Sequence, residues 1–183
     1  MANVLVPLAQ GCEELEAVTV VDLLRRAGIE VVTAGLDEQP VRASRGLVLL
    51  PDMTLDRALQ QDYDMIVLPG GLPGADHLRD DERIIELLRS MSAAGKYTAA
   101  ICAAPRVLAQ AGLLHGKRAT GYPGTLEIDS IPGLDYREAP VVIDGTVITS
   151  RGPGTAMDFA LSLIELLAGK QRRDEVEAGL QRA

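Results

Sequence analysis

Short apolar runs alternate with amphipathic stretches along most of this chain. Val4 to Leu8 is an unbroken apolar run, as expected of a strand buried on both faces. Glu13 to Ala27 follows, with Ala17, Val20, Val21 and Leu24 at the i, i+3, i+4, i+7 spacing of a helix, and Gly28 supplies the stop. Glu30 to Ala34 is a second strand. Val41–Ala43 and Val48–Leu50 read as a small hairpin around Ser44-Arg45-Gly46, and Leu55 to Leu59 as a short helix. Met65 to Leu68 is a buried strand that ends abruptly at Pro69-Gly70-Gly71. Asp80-Asp81 marks a helix start, and Arg83 to Ala94 continues it until Gly95. Tyr97 to Ile101 is another strand, and Pro105 to Ala111 a helix closed by Gly112. Residues 118–140, rich in Gly and Pro, carry no clear period. Val141–Ile143 and Val147–Thr149 flank Asp144-Gly145, a hairpin signal. Ala156 to Leu167 is a long apolar helix, and a charged helix is expected from Arg172 onward.

Strands alternating with helices predict an α/β fold with a mostly parallel sheet. Ligands in such sheets sit beyond the C-terminal strand ends. The ends to inspect are therefore Leu8–Cys12, Leu68–Gly74 and Ile101–Pro105.

Composition narrows the function. At 183 residues the chain is expected to form one domain, 1–183. It is 47% hydrophobic and 24% charged, which excludes a disordered tail. No apolar run approaches the roughly 20 residues of a membrane span, so no membrane partner is expected. Met1 to Leu8 lacks the cationic start of a secretory signal, so a cytoplasmic location is expected. The formal net charge is −8. The basic pairs Arg25-Arg26 and Arg172-Arg173 are flanked by acids, so nucleic acid is an unfavoured partner. Cys12, Cys102, His77 and His115 form no ligand-spaced cluster, which argues against structural zinc.

The candidate chemistry lies at the strand ends. Cys102 leaves a strand and is followed by Ala103-Ala104-Pro105 and a helix. Small residues there suit a sharp nucleophile elbow, and a helix N-terminus would favour the thiolate. The same residues also fit a buried Cys packed as a small hydrophobe. Gly70 and Gly71 could point N–H groups at an oxyanion, or simply turn the chain. One of Glu13, Glu14 and Glu16 could face Cys102, although acids in a first helical turn also complement the dipole. Gly152 and Gly154 lack the third glycine of a dinucleotide fingerprint.

Together these strand ends resemble the ThiJ/PfpI superfamily. Within it they look like the branch of the human parkinsonism-associated deglycase and the bacterial YajL proteins. The resemblance rests on Gly11-Cys12-Glu13-Glu14-Leu15-Glu16-Ala17-Val18, Val21 to Ile29, Ser44-Arg45, Tyr63-Asp64 to Gly74-Ala75, Ala99 to Pro105 and Thr149 to Thr155. It implies a flavodoxin-like α/β sandwich, of the class I glutamine-amidotransferase-like type, that forms a homodimer and needs no cofactor or metal. It assigns Cys102 as nucleophile and Glu16 as the acid beside the sulfur. Gly70, Gly71 and Ala103 match the positions whose N–H groups line an anion pocket, and Arg45, Gly152 and Pro153 match residues near it. Ala103 stands where PfpI-type peptidases carry a His, which argues against protease chemistry. Tyr122 stands where the human branch has a His, and Ala43 and Leu50 where it has cysteines. Cys12 and His77 are expected to be bystanders.

Like charges on Glu16 and Cys102 would repel, so the pair should keep one proton and titrate jointly. The activity implied is detoxification of reactive α-oxoaldehydes. It would run as a glyoxalase III-type conversion of methylglyoxal to lactate, as deglycation of early glycated protein side chains, or both. Cys102 would also be oxidisable to sulfinate. The alternative is a non-enzymatic redox sensor or stress chaperone. A cysteine hydrolase or a thiamine-biosynthesis protein is a weaker one.

Overall fold

The structure is a computed structural model, and it describes residues 1–182; Ala183, the end of the expected domain, lies outside them. In chain order the elements are β1 (Asn3–Leu8), α1 (Glu14–Arg26), β2 (Glu30–Gly35), β3 (Val41–Arg42), β4 (Val48–Leu49), β5 (Met53–Thr54) and α2 (Leu55–Ala58). Then come β6 (Met65–Leu68), α3 (Gly74–Asp80), α4 (Glu82–Ala93), β7 (Tyr97–Ile101), α5 (Pro105–Gln110), β8 (Arg118–Ala119) and β9 (Asp135–Tyr136). The chain closes with β10 (Val141–Asp144), β11 (Val147–Ser150), α6 (Ala156–Ala168) and α7 (Lys170–Gly179).

The main sheet runs β10-β11-β7-β6-β1-β2-β5. Only β10 is antiparallel, folded back on β11 through the turn at Asp144-Gly145. Alternation along each strand divides the core in two, because successive side chains point to opposite faces. Val4, Val6, Met65, Val67, Ala99 and Ile101 pack on one face under α1 and α6. Leu5, Ile66, Leu68 and Ala100 pack on the other, with Leu78, Leu88 and Leu108 from α3, α4 and α5. Helices cover both faces, which is why these strands read as continuous apolar runs.

Register brings the chemistry to one edge. Leu68 pairs with Ala100 and Ser150 with Ile101, so β6, β7 and β11 end side by side. The chain lays β2 on one flank of β1 and then returns to lay β6 on the other. The reversal between β1 and β6 is the crevice where such sheets bind ligands.

Several elements differ from the expected pattern. α1 begins at Glu14, with Glu13 in extended backbone before it. α3 precedes the expected helix start. It ends at Asp81, whose side chain accepts from the Arg83 N–H and so opens α4 as a separate helix. β5 is a two-residue edge strand, and residues 118–140 hold the short parallel pair β8 and β9. Such short pairings leave no period to read.

Candidate active site

Cys102 occupies the turn between β7 and α5 with φ +63°, a left-handed conformation that costs a non-glycine residue roughly 1–2 kcal/mol. Its neighbours hold it there. The Cys102 N–H donates to Ser150 O at 3.0 Å, and its carbonyl accepts from the Tyr122 N–H at 2.8 Å. Ala103 and Ala104, buried at 3% and 0% exposure, pack the turn with small side chains. Backbone strain of this kind concentrates at functional sites.

Glu16, on the first turn of α1, is fully buried. Its Oε2 accepts from the Gly70 N–H at 2.8 Å, across the crevice between β1 and β6. Its Oε1 is buried with no donor of its own. Gly70 lies between the acid and the thiol. A Cβ there would stand 2.7 Å from Cys102 Cβ and 2.8 Å from Glu16 Oε2. Gly71, at φ +84°, is pressed so closely on the Gly11–Glu13 turn that a Cβ would meet Glu13 N at 2.4 Å.

The two groups titrate together. Burial pushes Glu16 up to about 7, against the Gly70 N–H and the hydrogen bond to Cys102. Burial pushes the Cys102 thiol up to about 12, reinforced by the negative charge of Glu16, while the N–H groups of Gly71 and Ala103 pull it down. The helix end was expected to favour the thiolate and the pair to titrate jointly; burial raises the thiol. Burial is the first cause and the neighbour the second: the sulfur faces a second negative charge only while Glu16 is ionised. Above about pH 7 the pair keeps one proton and one charge, shared between carboxyl and sulfur. With the proton on Glu16, the charge rests on the sulfur beside two backbone donors.

Cys102 opens on a cavity of about 290 Å³. Arg45, Tyr122 and Pro153 line it, as do Gly71 and Ala103. Gly152 lies behind Tyr122; a Cβ there would be 3.3 Å from the ring. Glu13, one of the three acids weighed from the sequence, also lines it, and three lining residues escaped the sequence reading: Ser44, Leu72 and Thr125. Ser44 Oγ lies 2.9 Å from Glu13 Oε2 and 3.0 Å from Glu14 Oε2, and Glu14 also accepts from the Arg45 N–H at 2.8 Å. The three acids thus have separate places. Glu14 organises the β3–β4 turn, Glu13 reaches the cavity and Glu16 faces the thiol. Only the family resemblance had distinguished them.

Cys12 is fully buried, and its thiol is raised to about 12 by burial first and then by the charges of Glu14, Glu13 and Glu16. It does not line the Cys102 cavity. His77 lines a different cavity, beside Asp80 and Asp81. Among the described residues, no group of three or more His, Cys, Asp or Glu gathers in a metal-binding arrangement. No described helix is long and apolar enough to cross a membrane.

A strained cysteine between a parallel strand and a helix, paired with a buried acid, places the chain among α/β proteins with a nucleophile elbow. Residues 2–166 match the DJ-1/PfpI family, and the chain belongs to it. Protein dj-1beta of Drosophila melanogaster is 44% identical over 180 residues, covering 97% of this chain and 96% of that protein. Its crystal structure superposes with a TM-score of 0.94, covering 100% of this chain and 98% of the other. A structure of oxidized Toxoplasma gondii DJ-1 is 40% identical, covers both chains fully and gives a TM-score of 0.92. A relative from Caenorhabditis elegans, glutathione-independent glyoxalase DJR-1.2, is 35% identical over 96% of this chain and 92% of its own length. The fold is flavodoxin-like, as expected from the sequence.

Proposed function

We propose that this protein converts 2-oxoaldehydes to 2-hydroxy acids with Cys102 as nucleophile, Glu16 as proton carrier and no cofactor. The observation that carries this reading is the Glu16–Cys102 pair, holding one proton at the floor of an open cavity. The name of the Caenorhabditis elegans relative supports it.

Sulfur attacks the aldehyde carbon of methylglyoxal, forming a C–S bond, and the new oxyanion takes the Glu16 proton. The Gly71 and Ala103 N–H groups are positioned to stabilise that oxyanion. Glu16, now a carboxylate, removes the proton from the same carbon and returns it to the neighbouring carbon through an enediol. The product is a thioester of lactate. Water hydrolyses it, releasing lactate and restoring the thiol, so methylglyoxal and one water give lactic acid with no net redox change. A hemithioacetal or hemiaminal adduct would release its thiol or amine as it reverts to the aldehyde, which the sulfur then captures in the same way.

A second reading is favoured by the oxidized state of the Toxoplasma gondii relative. Cys102 would pass through sulfenate to sulfinate, and protonated Glu16 would donate to a sulfinate oxygen. The chain would then act as a redox sensor or chaperone.

We also propose that the protein works as a homodimer. Leu15 and Val18 on α1 and Leu47, Val48 and Leu50 around β4 are exposed, Leu50 at 81%. Such a patch beside the site fits a second copy of the chain. A reduced thiol fits a cytoplasmic location.

The test follows lactate by proton NMR after methylglyoxal is added to reduced wild type, Cys102→Ser and Cys12→Ser. Lactate from wild type and Cys12→Ser but not Cys102→Ser is expected. No lactate from reduced wild type would overturn the enzyme reading.

A further inference from the structure

The cavity above Cys102 has two unlike flanks. Sheet order sets them, because Cys102 ends β7, with β11 on one side and β6 then β1 on the other. From the β1 side come Glu13 at the start of α1 and, from the β3–β4 turn, Ser44 and Arg45. Tyr122 and Pro153 come from loops on the β11 side, and Leu72 from the loop after β6. The β1 side is charged and polar; the β11 side presents the Tyr122 ring and Pro153 with Thr125 beside them, and Leu72 faces the cavity from the β6 side.

The apolar residues are uncovered, and the backbone of Tyr122 is anchored. Leu72 and Tyr122 are each 50% exposed. Tyr122 is fixed at both ends of its peptide. Its N–H donates to the Cys102 carbonyl at 2.8 Å, and its carbonyl accepts from the Thr125 hydroxyl at 2.7 Å. Its ring rests against Gly152, where a Cβ would stand 3.3 Å from the ring and make it shift slightly. An aromatic side chain held in place while half its surface faces water is set for a contact that the chain itself does not supply. The methyl group of methylglyoxal is too small to cover a tyrosine ring and a leucine.

We infer that Tyr122 and Pro153 form a specificity wall, with Leu72 lining the same cavity from the β6 side, that selects 2-oxoaldehydes bearing an aryl substituent over methylglyoxal. This rests on the oxoaldehyde reading above. The aldehyde carbon bonds to sulfur, the ketone substituent lies against Tyr122, and the oxygens of the forming hydroxy acid face Ser44 and Arg45. The steps balance as for methylglyoxal: phenylglyoxal and one water give mandelic acid.

The test compares kcat/KM for phenylglyoxal and methylglyoxal in wild type, Tyr122→Ala, Tyr122→Phe and Leu72→Ala. The wild-type ratio should favour the aryl substrate by about tenfold, the scale of a well-placed aromatic contact. Tyr122→Ala should bring the ratio near unity, Leu72→Ala should lower it less, and Tyr122→Phe should keep it. A second measurement does not depend on turnover. Alkylation of Cys102 by iodoacetanilide and by iodoacetamide, each normalised to free glutathione, should show the same aryl preference and the same loss in Tyr122→Ala. If wild type turns over neither aldehyde but this alkylation preference holds, the wall stands and the oxoaldehyde reading falls. A ratio of one in wild type by both measurements, or one that Tyr122→Ala leaves unmoved, would overturn the wall.

Discussion

Cys102 and Cys12 are both buried, and both thiols are raised to about 12. Their surroundings differ in backbone strain, access and proton exchange. Cys102 is strained at φ +63°, receives N–H groups at its sulfur and borders a cavity. Cys12 is enclosed by the loop that follows β6, where a Cβ on Gly74 would come within 2.7 Å of its Cα. Carboxylates repel charge on both sulfurs, but only Cys102 has one hydrogen-bonded to it that can take its proton. A raised thiol pKa therefore does not separate a reactive cysteine from an inert one. Access, oriented donors and a proton-accepting neighbour do.

Removing the Cys102 sulfur gives the largest effect. Cys102→Ser is predicted to lower lactate formation by more than about a thousandfold, since every covalent step is lost. Equal losses in Cys102→Ser and Cys12→Ser would erase the contrast between the two thiols. Next comes Gly70→Ala. Its methyl group would collide with Cys102 Cβ, Glu16 Oε2 and the Ile101 carbonyl at 2.7–2.8 Å. We expect about 1–3 kcal/mol of lost stability and more than tenfold lost activity. Gly154→Ala, with nothing within 4 Å of its new Cβ, is the matched control and should stay within about 0.5 kcal/mol in urea denaturation.

That contrast was only partly legible in the sequence. The strands β1, β6 and β7 were readable because burial on both faces leaves continuous apolar runs. The elbow was readable because Ala103-Ala104-Pro105 follows a strand directly. The choice among Glu13, Glu14 and Glu16 was not, because helical periodicity alone puts no acid opposite a residue on a distant strand. Ser44 and Leu72 were invisible for a similar reason. Each sits on a loop whose place is set by sheet order rather than by its own sequence. α3 was missed because it has no apolar repeat long enough to show a period.

The pair itself can be tested through Glu16→Gln. In wild type, Cys102 alkylation should rise as the pair loses its first proton at about pH 7. Gln cannot take the proton, so the midpoint should move up from about 7. Stability should change in the opposite sense. A carboxyl raised from 4.5 to about 7 in the folded state keeps a proton that the unfolded chain has already released. Wild type therefore loses stability as pH rises between those values, by about 3 kcal/mol at 1.36 kcal/mol per unit. Glu16→Gln should flatten that loss, read as urea midpoints at pH 5 and pH 8. A wild-type curve that does not fall across this range would place the proton elsewhere.

Cys12→Ala should have the smallest effect. The thiol fills space within the core on the α1 side of the sheet, so its loss leaves a cavity about the size of one sulfur atom. We expect about 1–2 kcal/mol of lost stability, below the range of larger core truncations. Lactate formation should persist, because Cys12 neither borders the Cys102 cavity nor exchanges a proton with the pair. Graded peroxide on this variant should still add about 32 Da, the two oxygens of a sulfinate, at Cys102. If the oxidation disappears with Cys12, the second thiol takes part in the redox chemistry and the line between the two cysteines has been drawn in the wrong place.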